Sequence, residues 1–347
     1  MNIDHRTVLV TGGSGFIGSN FIRFLLDRYP GVQVLNLDKL TYAGNPENLR
    51  DVEQDPRYRF VKGDICDATV VEEIFETHRP EILVNFAAES HVDRSIGDPD
   101  EFIRTDVFGA YRLLEAARKF GLGKFIQIST DEVYGSIESG KFSEGDPLMP
   151  TNPYAASKAG ADRLAYSYAR TYELPVIISR ASNNFGPYQY PEKLIPLFVT
   201  NAIDDQPLPL YGDGKNVRDW LHAADHCDAV CFLIEHGTDG EAYNIAAGNE
   251  RENIGITRMI LASLGKPESL ITPVKDRQAH DRRYALDWSK IRDLGWSPRY
   301  TGDAGFRKGL QETVQWYREH EAWWRPLKSG EFLEYYKRHY RMELSNN

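Results

Sequence analysis

The chain has 347 residues, 41% hydrophobic and 27% charged, which supplies a sizeable core and excludes a disordered polymer. Lys and Arg number 41 against 51 Asp and Glu, a formal charge of −10 without a basic stripe, so no nucleic-acid partner is expected. No run approaches the ~18 apolar residues of a membrane span, MNIDHRTVLVTGG has no apolar signal region, and three cysteines (Cys66, Cys227, Cys231) fit a reducing, cytoplasmic compartment.

Strands are expected at Thr7–Thr11, Gln33–Asp38, 59–62, 82–87, 125–130 and 176–180. Helical spacing occupies 19–28, 70–77, 102–120 and 154–172 between them. Alternating βα units with nearly continuous apolar strands predict an α/β fold, a doubly wound parallel sheet of Rossmann type. Ligands then bind beyond the carboxyl ends of the strands.

Between the first strand and helix lies TGGSGFIGSN, which carries both Gly13-x-Gly15-x-x-Gly18 and Gly12-x-x-Gly15-x-x-Gly18 spacing. Glycines allow a tight turn and let backbone N–H groups approach a pyrophosphate at the helix N-terminus. Asp38 follows Gly18 by twenty residues, where a carboxylate binds ribose hydroxyls and repels a 2′-phosphate. NAD is therefore expected rather than NADP. Asp64, after the third strand, is a candidate contact for the adenine edge.

The fifth strand ends in Ser129-Thr130-Asp131-Glu132. Thr130 offers a hydroxyl to orient a substrate, and two adjacent carboxyls can divide into one acid and one base. Removing water from a carbon skeleton needs such a pair. Asn152 and Pro153 then open a helix as N-cap and first residue, placing Tyr154 and Lys158 on one face. A neighbouring ammonium, a nicotinamide cation and the helix N-terminus would all favour a Tyr154 phenolate.

Beyond residue 180, segments rich in Pro, Gly, Asn and Tyr predict binding loops around a short helix through 222. A helix at 223–235 and a strand at 243–246 return to the sheet, and a smaller lobe follows from about 251. Aromatic residues Trp316, Trp323, Trp324, Tyr335, Tyr336 and Tyr340 are expected to pack that lobe. His222, His226, Cys227 and Cys231 lack zinc spacing, and Ala224, Cys227, Cys231 and Ile234 read as an apolar stripe, so no metal is expected.

The glycine turn and the Tyr-Lys pair together resemble the extended short-chain dehydrogenase/reductase superfamily. The stretches LDKLTYAGN, AAESHVDRSI, STDEVYGS, PYAASKAGAD, RASNNFGPYQYPEKLIPL, LYGDGKNVRDWLHAADHCDA and DRQAHDRRYALD narrow the resemblance to the dTDP-glucose 4,6-dehydratases, over nearly the whole chain. The resemblance implies an NAD-binding domain at 1–182, with 223–250 returning to it, and a mixed nucleotide-sugar lobe at 183–222 and 251–347. It implies catalytic Thr130, Asp131, Glu132, Tyr154 and Lys158. Tightly held NAD would be lined by Gly12, Gly15, Phe16, Ile17, Gly18, Asp38, Lys39, Thr41, Asp64, Ile65, Phe86, Ala87, Ala88, Thr105, Tyr154, Lys158 and Asn184. The nucleotide sugar would meet Ser90, Thr130, Asn183, Lys193, Leu194, Pro209, Tyr211, Arg218, Asn253, Arg277 and His280, while His91 divides evenly between lining the site and packing.

The implied reaction oxidises C4 with Tyr154 taking the hydroxyl proton, removes the C5 proton with Glu132, and expels the 6-hydroxyl as water with a proton from Asp131. Hydride then returns to C6. The product is a 4-keto-6-deoxy sugar nucleotide, a first committed step toward deoxysugars such as rhamnose, made by a homodimer built on the helices at 102–120 and 154–172. Gln278-Ala279 and His222-Ala223 stand where the family more usually has Pro-Gly and Tyr-Val, which bears on the nucleotide chosen. UDP-glucose dehydration, a nucleotide-sugar 4-epimerase or decarboxylase, and a non-catalytic NAD-binding scaffold are the alternatives.

Overall fold

A computed structural model describes residues 1–276 and 280–340. Its strands are β1 Thr7–Thr11, β2 Gln33–Asp38, β3 Tyr58–Lys62, β4 Ile82–Asn85, β5 Lys124–Thr130, β6 Val176–Ala181, β7 Asn183–Phe185, β8 Leu208–Tyr211, β9 Val217–His222, β10 Ala242–Ile245, β11 Glu250–Glu252 and β12 Ile271–Val274. Among the described residues, seven form one parallel sheet in the order β10-β6-β5-β4-β1-β2-β3. Strand pleating sends alternate side chains to opposite faces. Val8, Val10, Ile82, Val84, Ile126 and Ile128 therefore enter one core, while Leu9, Leu83 and Phe125 enter the other. Helices Phe16–Arg28 and Ala223–His236 cover the first core, and Ala68–His78, Ala110–Phe120 and Pro153–Tyr172 cover the second.

β4 stops at Asn85, two residues before its expected end, because neighbouring β1 ends opposite it at Thr11. The helix expected at 102–120 is not uniform. A π-helical segment, Ile103–Gly109, precedes the α-helix Ala110–Phe120. Within the wide segment, Asp106 accepts hydrogen bonds from the Glu89 N–H (2.9 Å) and the Ser157 hydroxyl (2.6 Å). Hydrophobic spacing carries no signal for such a tertiary anchor.

Helix Ala223–His236 is also not the striped helix expected. Ala224 is only half-buried, while Asp225, His226 and Ala229 are buried beside Cys227, Cys231 and Ile234. Segment 296–300 covers its second side, with Asp225 accepting from the Arg299 and Tyr300 N–H groups and Asp228 from the Trp296 indole.

A third core joins Phe185, Leu197, Phe198, Trp220, Ile256, Phe306, Trp324 and Tyr336. It lies under helices Leu194–Ile203, Asn253–Leu264 and Gly302–Glu319, with a small mixed sheet β11-β9-β7 and the parallel pair β12-β8. β7 follows β6 after one residue, so this second body starts where the main sheet's carboxyl edge ends.

Candidate active site

Backbone geometry at the end of β1 makes glycine necessary. Gly12 has φ +67°, and a Cβ there would lie 2.6 Å from the Ala87 backbone nitrogen. A Cβ on Gly18 would strike the Gly12 carbonyl. Asp38 holds the turn from the side, accepting from the Ser14 N–H (2.9 Å) and the Leu40 N–H (2.8 Å). Lys39 pairs with Asp64 at 3.0 Å. These residues open onto a cavity of about 300 Å³. Every residue expected to contact the dinucleotide or to do chemistry lines that cavity, from Gly12 and Asp38 to Thr130, Tyr154, Lys158 and Asn184. The turn, the carboxylate at the end of β2 and the cavity they line fit a dinucleotide.

The catalytic candidates stand at the carboxyl end of β5, where Asp131–Tyr134 make one 3₁₀ turn. The Thr130 hydroxyl donates to Asp131 Oδ1 at 3.1 Å and accepts from the Glu132 N–H at 3.3 Å. Burial first, and the Glu132 charge second, push the Asp131 carboxyl up to about 8. It therefore carries its proton at neutral pH. Its Oδ2 atom has no hydrogen-bond partner among the described residues.

Tyr154 and Lys158 share the face expected of them, but the chain alone does not favour a phenolate. Burial raises the phenol well above its ordinary range, as do the charges of Glu132 and Asp106, against a hydrogen bond with Thr130. Lys158 donates to the Ile128 carbonyl at 2.6 Å. Burial lowers its proton affinity while Asp106 and Asp162 support the ammonium.

A second cavity of about 160 Å³ adjoins the first and is lined by Ser90, Asn183, Lys193, Leu194, Pro209, Tyr211, Arg218, Asn253 and His280. Glu132, Ser90, Asn183, Glu192 and Lys193 line both. Buried Asn183 Oδ1, Asn253 Oδ1 and Trp220 Nε1 lack partners among the described residues, leaving polar atoms on this wall for a ligand. Arg277 and the Gln278-Ala279 pair lie outside the described residues. His222 lines neither cavity. It packs between Phe185 and Tyr300 in the seam between the two bodies, away from the place expected for a nucleotide base. His91 is buried, lines the second cavity and stands edge-on to Tyr335.

Some contacts escape the sequence. Asn152 caps its helix as expected, its Oδ1 accepting from the Ala155 N–H at 2.9 Å, but its amide also donates to Glu132 Oε2 at 3.3 Å. The Tyr284 hydroxyl lies 3.3 Å from the same oxygen. Tyr340, expected as packing, lines the second cavity with its ring 5.9 Å from that of Tyr211. Aromatic content in a C-terminal helix does not reveal that reach.

The family described as GDP-mannose 4,6 dehydratase matches residues 9–309. A Streptomyces niveus protein named dTDP-glucose 4,6-dehydratase is 51% identical over 327 residues, 93% of this chain and 96% of its own. The chain belongs to the family of dTDP-glucose 4,6-dehydratases. Among solved members of that family, DesIV from Streptomyces venezuelae, with NAD and TYD bound, is 52% identical with a TM-score of 0.89, covering 93% of this chain and 100% of its own. A Thermus thermophilus UDP-glucose 4-epimerase in complex with NAD is more distant, at 30% identity and TM-score 0.83 over 90% of this chain and 99% of its own. Dehydratase and epimerase thus share the scaffold, and what separates them must reside in particular side chains.

Proposed function

We propose that this chain removes water from dTDP-glucose, yielding the 4-keto-6-deoxy sugar nucleotide. The observation that carries the reading is the Asp131-Glu132 pair, Asp131 lining the first cavity with its proton held at neutral pH and Glu132 lining both cavities with its Oε2 held by hydrogen-bond donors. NAD, which Gly12, Asp38, Lys158 and the rest of the first cavity's lining would hold, would supply hydride acceptance at C4 and hydride return at C6, and its cationic ring would add the positive charge that ionisation of Tyr154 requires. Tyr154 removes the 4-hydroxyl proton, with Thr130 hydrogen-bonding the 4-oxygen and Lys158 supplying positive charge. The C4 carbonyl acidifies C5–H, and Glu132 takes that proton. Asp131 protonates the 6-hydroxyl, so C6–O breaks, water leaves and a C5–C6 double bond forms. After hydride reaches C6, Glu132 returns a proton to C5.

Lys193, Arg218 and Asn183 suit a diphosphate and Tyr211 a base, which supports a cofactor-binding sheet domain at 1–182 and 223–250 and a nucleotide-sugar lobe from the rest. A homodimer is part of this reading: Ile103, Phe108, Tyr166 and Tyr172 are exposed on the two helical segments expected to pair. Sedimentation giving the mass of one chain would overturn that part. Three free thiols fit a cytoplasmic enzyme.

The test is to incubate the purified protein with dTDP-glucose and with UDP-glucose, adding no NAD, and to follow loss of one water by mass. Turnover of dTDP-glucose is expected. UDP-glucose alone reacting would keep the mechanism and change the substrate, and loss of water from neither, even with NAD supplied, would overturn the dehydratase reading.

A further inference from the structure

Tyr211 is the aromatic side chain that the proposed function gives to the nucleotide base, and the strand beneath it offers little to hold its ring. It ends β8, a four-residue strand paired only with β12 among the described residues. A stacking ring is best fixed before its ligand arrives, because each side chain frozen on binding subtracts from affinity. What fixes Tyr211 comes from two segments far away in the chain. Its hydroxyl donates to Asp93 Oδ2 at 3.2 Å, 118 residues earlier, and is hydrogen-bonded to His339 Nε2, 128 residues later. Since the single phenolic hydrogen goes to Asp93, His339 presents an Nε2–H to the phenol oxygen. Burial above all holds the Tyr211 phenol far above its ordinary range, so that hydrogen is kept.

The helix Glu331–Tyr340 delivers His339 and Tyr340 through its spacing. Residues four apart share a face. Phe332, Tyr336 and Tyr340 follow one another on the first face. Phe332 and Tyr336 are buried in the third core, where the Asn201 amide donates to the Tyr336 hydroxyl at 3.3 Å. Tyr335 and His339 follow on a second face, their rings stacked at 5.1 Å, with Tyr335 edge-on to His91 and 4.9 Å from the Arg94 guanidinium. Core packing thus anchors the helix, and its last turn reaches the cavity. There the Tyr340 ring lies 5.9 Å from that of Tyr211, and the His339 ring stands edge-on to it at 6.1 Å. None of the helix's described residues lines the first cavity.

We propose that His339 and Tyr340 are positioning residues, by which the C-terminal helix holds the hydroxyl and ring of Tyr211 in the pose that stacks on the base of the nucleotide sugar. Asp93 supports the same hydroxyl from the other side. Affinity for the nucleotide therefore depends on a helix that supplies nothing to the cavity where the reacting groups stand. The inference rests on the reading that the second cavity takes the nucleotide end of the substrate.

Calorimetric titration of the full-length, NAD-loaded protein with dTDP tests it. Tyr340→Ala and His339→Ala should each weaken dTDP binding ~3- to 10-fold, the range for leaving one side chain to be ordered on binding. KM for dTDP-glucose should carry that loss rather than kcat, with NAD per chain near parental. Tyr340→Phe keeps the ring and should recover most of the affinity. Inhibition by inorganic pyrophosphate, which fills the phosphate subsite without a base, should not change. Equal weakening of pyrophosphate and dTDP would show a loosened lobe and overturn the proposal. In a Tyr211→Ala background, Tyr340→Ala should add less than about two-fold, whereas effects that multiply would show that Tyr340 does not act through Tyr211. Where Tyr340→Ala does not fold, His339→Ala, whose side chain is partly exposed, carries the same comparisons. A parent that binds no dTDP would overturn both the nucleotide reading and this one. A parent that binds it no better than the alanine variants would overturn only the part given to the helix.

Discussion

Asp131 and Glu132 are neighbours in sequence with different surroundings, and that difference makes chemistry from two ordinary carboxyls. Under the proposed reaction Asp131→Asn would remove the proton donor, so water loss is expected to fall at least ~10²-fold while C4 oxidation continues, measured by product mass and bound NADH. The same residue sets a stability slope. Its folded value lies above the ordinary 3.8, so its contribution is complete below that value and is lost as pH rises through about 8. Denaturant midpoints of parent and Asp131→Asn across that window should diverge, the variant losing less stability toward alkaline pH. Tyr154→Phe should cost at least ~10²-fold in turnover, the low end for losing a positioned proton acceptor. Thr130, Asp131, Glu132, Tyr154 and Lys158 were legible because each sits at short spacing within a local motif. Asn152 and Tyr284 were not, since they reach Glu132 across 20 and 152 residues of chain. No local pattern encodes such a meeting.

At the level of elements, two devices place these side chains. The turn after β1 requires φ +67° at Gly12 and close approach to Ala87. Gly12→Ala should strain the turn by more than the about 1–2 kcal/mol of the left-handed conformation alone, since its Cβ would also strike the Ala87 backbone, and should lose cofactor on gel filtration, read as NAD released per chain. The helix Pro153–Tyr172 begins with a residue serving two partners. Asn152→Ser keeps a good cap, so stability should change by no more than ~0.5 kcal/mol. Its shorter side chain no longer reaches Glu132, so elimination should slow in spite of an unchanged melting temperature. Stability loss matching the activity loss would argue that capping is all Asn152 does. Strands and helix starts were readable because period and capping are local. The π segment was not, because Asp106 answers to Glu89 and Ser157 rather than to its own helix.

Across the whole molecule, the main sheet was legible from its apolar runs, while the second body was visible mainly as loops. Its strands are as short as three residues, and β8 pairs with β12 some sixty residues away. Pairing of that kind depends on folding already achieved elsewhere. Tyr340 likewise reaches the second cavity only once its helix is docked. Binding of dTDP should engage this lobe directly. At ~100-fold its Kd it should add about 2.7 kcal/mol to the stability of a chain that binds only when folded. Arg218→Ala should abolish most of the resulting rise in melting temperature.

The two cavities meet along a wall that includes Ser90, Asn183, Lys193 and Glu132. Under the proposed function a ligand spanning them would be gripped at one end and transformed at the other, so binding energy gained at the handle could be spent on alignment at the reacting carbons. Selectivity then needs little recognition of glucose as such. Unattached glucose, arriving without its handle, would then be expected to pass through the cell's hexose pool unaltered.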